Sequence, residues 1–310
     1  MRTFSNNHFF SSSDFFKQKF GFKVYKLCID AGCTCPNRDG TKGIGGCIFC
    51  SGSGSGDFAQ SREFSVLEQL EKAKNLVNSK CKSNKYIAYF QNFSNTYGDI
   101  NLLKEKWKEA LSAPDVVGLS IATRPDCLDD KVLEVFSELS QNNFLMLELG
   151  LQTCNEETGN LINRCYSNQD FVQAVRAVKK NCPQVHVVSH VIFGLPGEKV
   201  EDMLDTIKFC VKQNIDGIKI STLYVNKGTV LEKMYEQKEF GCLSKEEYFE
   251  ILSEAIKLIP ENIVIHRVTG DGAKRDLVAP LWTANKKDVL NSMNNYFNRF
   301  DVRQGSSCSL

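Results

Sequence analysis

The sequence predicts an α/β fold: an open partial (β/α)6 barrel followed by a C-terminal α/β extension. Short β-rich runs alternate with longer helical patterns through residues 23–225, and runs such as Val116–Ala122 (VVGLSIA) are apolar almost throughout. Parallel strands need crossover connections, which helices usually supply, and continuous apolar runs suit strands buried on both faces. We therefore assign residues 1–22 to an N-terminal segment, 23–225 to the barrel and 226–310 to an extension capping its mouth.

The predicted elements follow one another in a regular order. The six strands are Lys23–Cys28, Tyr86–Gln91, Val116–Ala122, Leu145–Gln152, Val185–Phe193 and Gly217–Leu223. The intervening helices are Phe64–Ser79, Leu102–Leu111, Asp129–Ser140, Gln169–Asn181 and one ending at Val211. Beyond Val225 the pattern predicts helices Val230–Glu236 and Lys245–Leu258, a β-like run Ile263–Val268 and a polar tail.

Composition limits the class of protein. The net charge is +1, so no overall field attracts nucleic acid, and such a contact would need a local patch. The chain has 13 cysteines and no secretory pattern at its start, which predicts a cytoplasmic protein with reduced thiols. No stretch of eighteen apolar residues occurs, so we expect no membrane partner.

The stretch CPNRDGTKGIGGCIFC is the most informative in the chain. It brings Cys35, Cys47 and Cys50 together across a glycine-rich loop, and three thiolates suffice to hold a 4Fe-4S cluster by three irons, leaving one iron open. A closed zinc site with Cys33 as fourth ligand is the alternative, although Cys33-Thr34-Cys35 is cramped for two ligands of one zinc ion. Metal-free buried thiols are a third interpretation.

Polar residues cluster where the predicted strands end. In a parallel barrel these C-terminal ends share one mouth, where active sites lie. The residues concerned are Cys35 onward, Gln91 with Asn92 and Asn95, Thr123 with Arg124, Gln152, and the turn from Gly194 to Glu198.

These motifs, in this order, resemble the radical S-adenosylmethionine (SAM) enzymes. The similarity is greatest to the YtqA/YhcC group, which is similar to the radical domain of the Elongator acetyltransferase subunit. It rests on the cysteine loop with YFQNFSNTY, LSIATRPDCL, LELGLQTCNEETGNLINR, HVIFGLPGE and DGIKISTLYVNKGT. The resemblance implies that Cys35, Cys47 and Cys50 bind a 4Fe-4S cluster and that S-adenosylmethionine is reductively cleaved to a 5′-deoxyadenosyl radical. The candidates for binding S-adenosylmethionine are Gln91, Asn95, Thr96, Thr123, Arg124, Gln152, Gly194, Leu195, Pro196 and Gly197.

Four residues are candidates for catalysis. Glu148 and Gln152 alternate on one face of the fourth strand, where a buried carboxylate needs a partner. Arg164 is a suitable carboxylate partner, of the cofactor or of Glu148, and an internal salt bridge is its alternative role. His190 lies mid-strand, where a satisfied core histidine is the alternative; His186 and His266 are weaker candidates.

The resemblance implies a tRNA substrate, with conversion of a carboxymethylaminomethyl group on the wobble uridine towards aminomethyl, and a reductant such as flavodoxin or ferredoxin. A metabolite or protein substrate, a redox-sensing cluster protein and a zinc-stabilised RNA-binding module without catalysis stay open as alternatives. The candidates for contacting substrate are Tyr97, Tyr224 and Trp282 for stacking, Arg124, Lys219 and Arg275 for anionic groups, and Asp271 and Asp276 beside them.

Overall fold

A seven-stranded parallel sheet organises the chain. The computed structural model describes residues 5, 6, 8–54, 56, 59–77, 83–270 and 272–308. Its sheet has the order β1-β2-β3-β4-β5-β6-β8, so the first six strands are neighbours in chain order. These strands are β1 (Tyr25–Ile29), β2 (Tyr86–Phe90), β3 (Val116–Thr123), β4 (Phe144–Gln152), β5 (His186–Phe193), β6 (Gly217–Thr222) and β8 (Val264–Arg267). Strands β7 (Val225–Asn226) and β9 (Leu277–Ala279) form a separate antiparallel pair.

Helices form the crossovers and flank the sheet. Local side chains determine where several of them begin: Asp129 accepts from the backbone N–H of Val132, and Ser167 forms a capping box with Asp170. The helices are α1 (Ser12–Phe20), α2 (Val66–Val77), α3 (Ile100–Ser112), α4 (Asp130–Ser140), α5 (Glu156–Leu161), α6 (Asn168–Asn181), α7 (Val200–Lys212), α8 (Val230–Glu236), α9 (Lys245–Leu258) and α10 (Lys286–Arg299).

The two faces of the sheet differ in chemistry. On β4, Leu147, Leu149 and Leu151 are fully buried and belong to the largest hydrophobic core. The alternate residues Glu148 and Gln152 line a cavity instead. Because side chains alternate along a strand, one face packs into the core while the other carries polar groups inside the barrel.

The predicted partial barrel is confirmed, and the regions beyond its six strands differ from expectation. The β-like run near residue 264 is the seventh sheet strand, β8, which pairs in parallel with β6. The predicted polar tail is wrong because residues 286–299 form α10. Its buried residues Val289, Met293 and Phe297 recur every four positions among Lys and Asn, so the apolar stripe is narrow.

Two further observations complete the fold. Helix α1 (Ser12–Phe20) lies in the N-terminal segment, and α5 follows β4; neither helix was predicted. The predicted helix Phe64–Ser79 corresponds to α2, and Ser79 lies outside the described residues. Within the described part of the chain, no helix has the length and apolar character needed to cross a membrane.

Candidate active site

One cavity of about 670 Å³ occupies the barrel interior. At the C-terminal ends of the strands it is lined by Cys35, Cys47 and Cys50 together with Gln91 and Gln152. Its lining continues along the strands towards their N-terminal halves and reaches α1. The cysteine loop and the strand ends therefore face a common space.

The three cysteines form one wall of this cavity. A tight turn joins two of them, because the backbone N–H of Cys50 donates to the carbonyl of Cys47 over 3.0 Å. The neighbouring Cys50 thiol and burial raise the pKa of Cys47. A bound metal ion would stabilise the thiolate of Cys47 instead. Cys33 does not line the cavity; it packs into the main hydrophobic core, and burial raises its pKa to about 11.

These thiols fit a cluster better than a single ion. Among the residues that the structure describes, no three His, Cys, Asp or Glu side chains converge closely enough to hold one metal ion. A structural zinc site would need four such ligands around one point. The three cysteines that line one cavity wall supply the three ligands of a cluster with one open iron.

Two asparagines hold the cysteine loop in place. Asn163, in the left-handed region with φ 54°, donates from Nδ2 to the carbonyl of Gly46 over 2.8 Å. Asn37 donates from Nδ2 to the carbonyl of Asn163 over 2.5 Å and lies 3.8 Å from Cys47 Sγ. A Cβ at Gly43 would lie 2.2 Å from Asn37 Oδ1 and 2.9 Å from Cys165 Sγ, so the loop passes Asn37 too closely for a side chain.

The end of β2 offers both structural and cavity-facing polar groups. Asn95 donates from Nδ2 to the carbonyls of Phe90 and Ala122, and so ties β2 to β3. Gln91 and Ser94 line the cavity. Ser94 is 1% exposed and its hydroxyl has no hydrogen-bond partner among the described residues, which is the environment expected of a group that awaits a polar ligand.

The end of β3 is held by its own hydrogen bonds. Thr96 Oγ1 lies 2.7 Å from Thr123 Oγ1 and donates to the carbonyl of Cys127 over 2.6 Å. Arg124 donates to both carboxylate oxygens of Asp126 over 2.8 and 2.9 Å. Thr123 and Arg124 line the cavity, whereas Asn95 and Thr96 do not.

A bulge aims Gln152 at the mouth of the cavity. The pairing of β4 with β5 shifts between Gly150 and Gln152, and Gln152 has φ 69°, a conformation rare outside glycine. Tyr166 supports the bulge by donating from its hydroxyl to the carbonyl of Gly150 over 2.9 Å. Such strain occurs where the surrounding structure imposes it, often at functional sites.

Glu148 lies at the centre of a buried polar cluster. Its Oε1 accepts from Lys26 Nζ over 2.5 Å and from Ser120 Oγ over 2.8 Å. Its Oε2 lies 2.8 Å from His190 Nε2 and also accepts from Lys219 Nζ. The predicted need of this carboxylate for a partner is met by lysines, not by Arg164.

The electrostatics of this cluster favour an ionised carboxylate. Burial opposes ionisation of Glu148, but the ammonium groups of Lys219 and Lys26 outweigh it and hold its pKa well below the usual range. Burial lowers the pKa of Lys219 to about 7. Burial likewise lowers the pKa of His190 to about 4, so its imidazole is neutral near pH 7.

Arg164 is fully buried, and each of its N–H donors has a hydrogen-bond acceptor. Its five N–H donors reach the carbonyls of Leu151, Thr153 and Tyr166 and the side chains of Glu156 and Asn168. It does not line the cavity. Its guanidinium therefore holds the segment after β4 in place.

The other candidates, except Tyr224, lie away from the cavity lining. The Gly194–Gly197 turn connects β5 to α7, and Gly194 has φ 85°. Trp282 donates to the carbonyl of Leu243 and packs beside Tyr248, while Arg275 is exposed and pairs with Asp276. Tyr97 also does not line the cavity, Tyr224 does, and Asp271 lies outside the described residues.

The lining residues Ser94 and Tyr166 were not predicted from the sequence, and the contact of Lys26 with Glu148 was not predicted either. Lys26 precedes Cys28 by two residues on β1, and both line the cavity. Side chains alternate between the two faces of a strand, so Lys26 and Cys28 of KVYKLC lie on the same face. This alternation is the feature of the sequence that indicates the direction of Lys26.

With this geometry in view, the family comparisons are informative. Residues 35–210 match the model of the Radical SAM superfamily, and residues 215–299 match the model of the Radical SAM C-terminal domain. The chain is 43% identical over 278 residues to YtqA of Bacillus subtilis (strain 168), covering 90% of this chain and 86% of YtqA. It is 36% identical over 296 residues to YhcC of Escherichia coli (strain K12), covering 94% and 92%.

Two more distant proteins are also similar to this chain, one in its fold and the other over half of the sequence. The solved structure of Methanocaldococcus infernus Elp3 superposes with a TM-score of 0.67 at 20% identity, over 91% of this chain and 64% of that chain. A tRNA uridine(34) acetyltransferase of Methanocaldococcus infernus is 29% identical over 158 residues, which is 50% of this chain and 29% of that protein.

The match over more than half of the chain defines the class: this is an enzyme of the radical SAM superfamily, whose members bind a 4Fe-4S cluster and S-adenosylmethionine. Within that superfamily the chain belongs to the YtqA/YhcC group, as its near full-length relatives show. A zinc-stabilised module without catalysis is not the class of protein that this family defines.

Proposed function

We propose that this enzyme modifies the side chain of the wobble uridine in tRNA by radical chemistry inside the barrel. The observation that carries the proposal is one cavity shared by the cysteine triad, the polar strand ends and a cationic interior. A radical reaction on a base requires a water-shielded site and a base removed from its stack, and a deep barrel cavity supplies such a site.

The cysteine end of the cavity binds the cofactors in this proposal. Cys35, Cys47 and Cys50 hold the 4Fe-4S cluster, and Gln91, Ser94, Thr123, Arg124 and Gln152 hold S-adenosylmethionine beside it. When bound and reduced, these cofactors supply a 5′-deoxyadenosyl radical. Asn95, Thr96 and the Gly194-Leu195-Pro196-Gly197 turn stabilise this end from behind the lining. An external one-electron donor such as flavodoxin or ferredoxin supplies the electron.

The remaining candidates divide by position. Glu148, Gln152 and His190 line the cavity, and in this proposal they face the substrate. His190, as a neutral imidazole beside Glu148, is suited to accept or donate a proton near the reacting group. Arg164 acts as a positioning residue, because its donors are committed to the segment that carries Gln152.

Two observations support tRNA over a metabolite or a protein as substrate. The relative named as a tRNA uridine(34) acetyltransferase is 29% identical to this chain over 158 residues, which is half of the length of this chain. In addition, the cavity is lined with cations although the whole chain is almost neutral, which provides the local patch that the composition did not reveal. Tyr224 lines the same cavity and offers a ring for stacking.

The deciding experiment uses reconstituted holoenzyme without oxygen, S-adenosylmethionine, a reductant and bulk tRNA from a strain lacking this gene. Nucleoside analysis should show a changed wobble uridine, and 5′-deoxyadenosine should form with it. Cys47→Ala should give neither product. Release of 5′-deoxyadenosine with unmodified tRNA would remove the tRNA assignment and leave a metabolite or protein as substrate. Loss of the cluster without loss of tRNA modification would contradict the radical chemistry.

A further inference from the structure

Three exposed apolar side chains lie around the outer side of the cysteine loop. Ile44, within the loop, is 81% exposed, Leu161 at the end of α5 is 48% exposed, and Val230 at the start of α8 is 56% exposed. None of the three lines the barrel cavity. We call them the outer patch. Exposed apolar side chains that lie together mark interaction sites more often than single ones do.

Backbone hydrogen bonds bring two members of the patch to the same place. The N–H of Ile48 donates to the carbonyl of Ile162 over 3.1 Å, and the carbonyl of Ile48 accepts from the N–H of Leu231 over 3.0 Å. The end of α5 and the start of α8 therefore lie on either side of Ile48. Leu161 and Val230 are the residues just before these two contacts.

Ile44 joins the patch from the cysteine loop itself. Its carbonyl accepts from Asn163 Nδ2 over 3.3 Å, two residues after Leu161. Cys47 follows Ile44 by three residues, which span at most roughly 11 Å. Cys47 lines the cavity, whereas the next residue, Ile48, packs into a separate buried apolar cluster beneath the patch. The patch and the cavity therefore lie on opposite sides of the loop.

Lysines border the patch. Lys227 and Lys233 are exposed and lie three residues before and after Val230. Glu232, between them, accepts from the backbone N–H of Gly228 over 2.7 Å, so this carboxylate is engaged at the helix start. An apolar centre with a cationic border fits an acidic protein surface. It does not fit RNA, whose phosphates need cations at the centre of the contact.

We propose that the outer patch is the docking face for the one-electron donor of this enzyme, a carrier protein with an acidic surface. The inference rests on the proposed function only in requiring an external donor, and it is independent of the tRNA assignment. The donor passes one electron to the 4Fe-4S cluster and is itself oxidised by one electron, and no bond forms or breaks.

The position of the patch suits this role. Electron transfer between proteins falls steeply with distance, so the donor must come close to the cysteines. The patch offers this approach from outside the barrel and leaves the cavity to S-adenosylmethionine and substrate. Three apolar side chains are few for a stable dimer, whereas electron-transfer complexes are weak and bury little surface.

The test measures electron transfer in the energetically favourable direction, from this enzyme to an acidic flavodoxin. Holoenzyme is reduced without oxygen, freed from excess reductant and mixed with oxidised flavodoxin in a stopped-flow instrument, with neither RNA nor S-adenosylmethionine present. The rise of one-electron-reduced flavin gives a second-order rate constant. Forward and reverse transfer share one complex, so this rate constant reports the docking face. It should fall as the salt concentration rises, as expected for complementary charges.

Variants of the patch should slow this transfer. Ile44→Ser and Val230→Ser should each lower the rate constant by about fivefold, because each removes an apolar contact of the complex. The double variant Lys227→Gln and Lys233→Gln should lower the rate constant and flatten its salt dependence. Leu76→Ser is the matched control and should keep the native rate constant, because Leu76 is 68% exposed on α2, outside the patch.

A small acceptor controls for the cluster itself. Benzyl viologen reaches the cluster without docking, so every variant should reduce it at the native rate. Iron content and the visible spectrum of each variant confirm that the cluster is loaded. Native rates of the patch variants with flavodoxin, or equal losses with flavodoxin and benzyl viologen, would overturn the docking face. So would a native enzyme that reduces benzyl viologen but neither flavodoxin nor an acidic ferredoxin.

Two further outcomes would assign the patch to another occupant and overturn the inference. One is weaker tRNA binding by Ile44→Ser with an unchanged flavodoxin rate. The other is a native dimer that Ile44→Ser converts to a monomer in sedimentation. Failure of the tRNA assignment leaves the flavodoxin measurement unaffected, because that measurement contains no RNA.

Discussion

Asn163 Nδ2 donates a hydrogen bond to the carbonyl of Gly46 over 2.8 Å, and this contact joins the segment after β4 to the loop that bears the cysteines. The backbone of Asn163 accepts in return from Asn37 Nδ2. The position of the cysteines therefore depends on a residue more than a hundred positions away. The cysteine loop and the segment after β4 are far apart in the sequence, but hydrogen bonds join them in the structure.

Substitution of Asn163 should loosen the cysteine loop. Asn163→Ala removes the side-chain hydrogen bond and puts an alanine at φ 54°, which together should lower the free energy of unfolding by about 2 kcal/mol. Asn163→Gly removes the same bond but permits this φ, so it should be the less destabilised variant. Urea unfolding measures both. Equal losses would show that the backbone conformation contributes nothing.

Cluster binding should depend on three cysteines and not on their neighbour. Cys35→Ala, Cys47→Ala and Cys50→Ala should each abolish the brown colour and the uptake of about four irons per chain, since each removes a ligand. Cys33→Ala is the control, because Cys33 packs into the core and not against the cavity. Anaerobic reconstitution with iron analysis checks this, and an iron-free Cys33→Ala protein would disprove the three-ligand assignment.

Gly43 should tolerate no side chain. In Gly43→Ala the new methyl group would lie 2.2 Å from Asn37 Oδ1, so Asn37 must move away from Cys47 and the loop must shift. We expect markedly lower iron uptake than in the native protein. Gly52→Ala is the matched control, since a Cβ there meets nothing within 4 Å and its φ is not positive. Similar iron contents in the two variants would contradict this explanation.

Stability should fall in mild acid because buried histidines resist protonation. Burial lowers the pKa of His186 to about 4, and His186 Nε2 lies 2.8 Å from His266 Nε2. Between pH 6.5 and 4 the unfolded chain binds a proton that the folded His186 excludes, so stability decreases as pH falls through this window. The contribution of His186 is about 3 kcal/mol.

The measurement is the free energy of unfolding from urea titrations at several pH values between 7.5 and 4.5. His186→Gln should show a shallower dependence than the native protein, because one excluded proton is lost while an amide can still bond to His266. An unchanged slope in His186→Gln would mean that other groups account for the acid sensitivity.

The sequence reveals the barrel because its strands are buried on both faces and read as apolar runs. The narrow stripe Val289, Met293 and Phe297 of α10 does not stand out among lysines and asparagines. Strand-end polar residues are predictable from barrel topology, and Gln91, Thr123 and Gln152 do line the cavity. The pairing of Lys26 with Glu148, 122 positions apart, depends on strand order and side-chain reach, which no local pattern encodes.

The contacts of Arg164 could not be predicted from the sequence either. Three of its five acceptors are backbone carbonyls. Every residue has a backbone carbonyl, so the sequence does not show which carbonyls an arginine contacts. A buried arginine beside a predicted active site therefore looks identical to a ligand-binding one until the surrounding backbone is known. The difference lies in which acceptors are already within reach.

Strand β8 has a consequence for how the protein is made. It forms the last strand of the main sheet, beside β6, and its Ile265 also pairs with Ser11 near the start of the chain. During synthesis the edge of β6 stays unpaired from the time residue 222 is made until residue 267 has left the ribosome, so the nascent chain carries an open, aggregation-prone edge over that interval. A chain terminated just after β6 would keep that edge permanently, and a ribosome that pauses there prolongs its exposure.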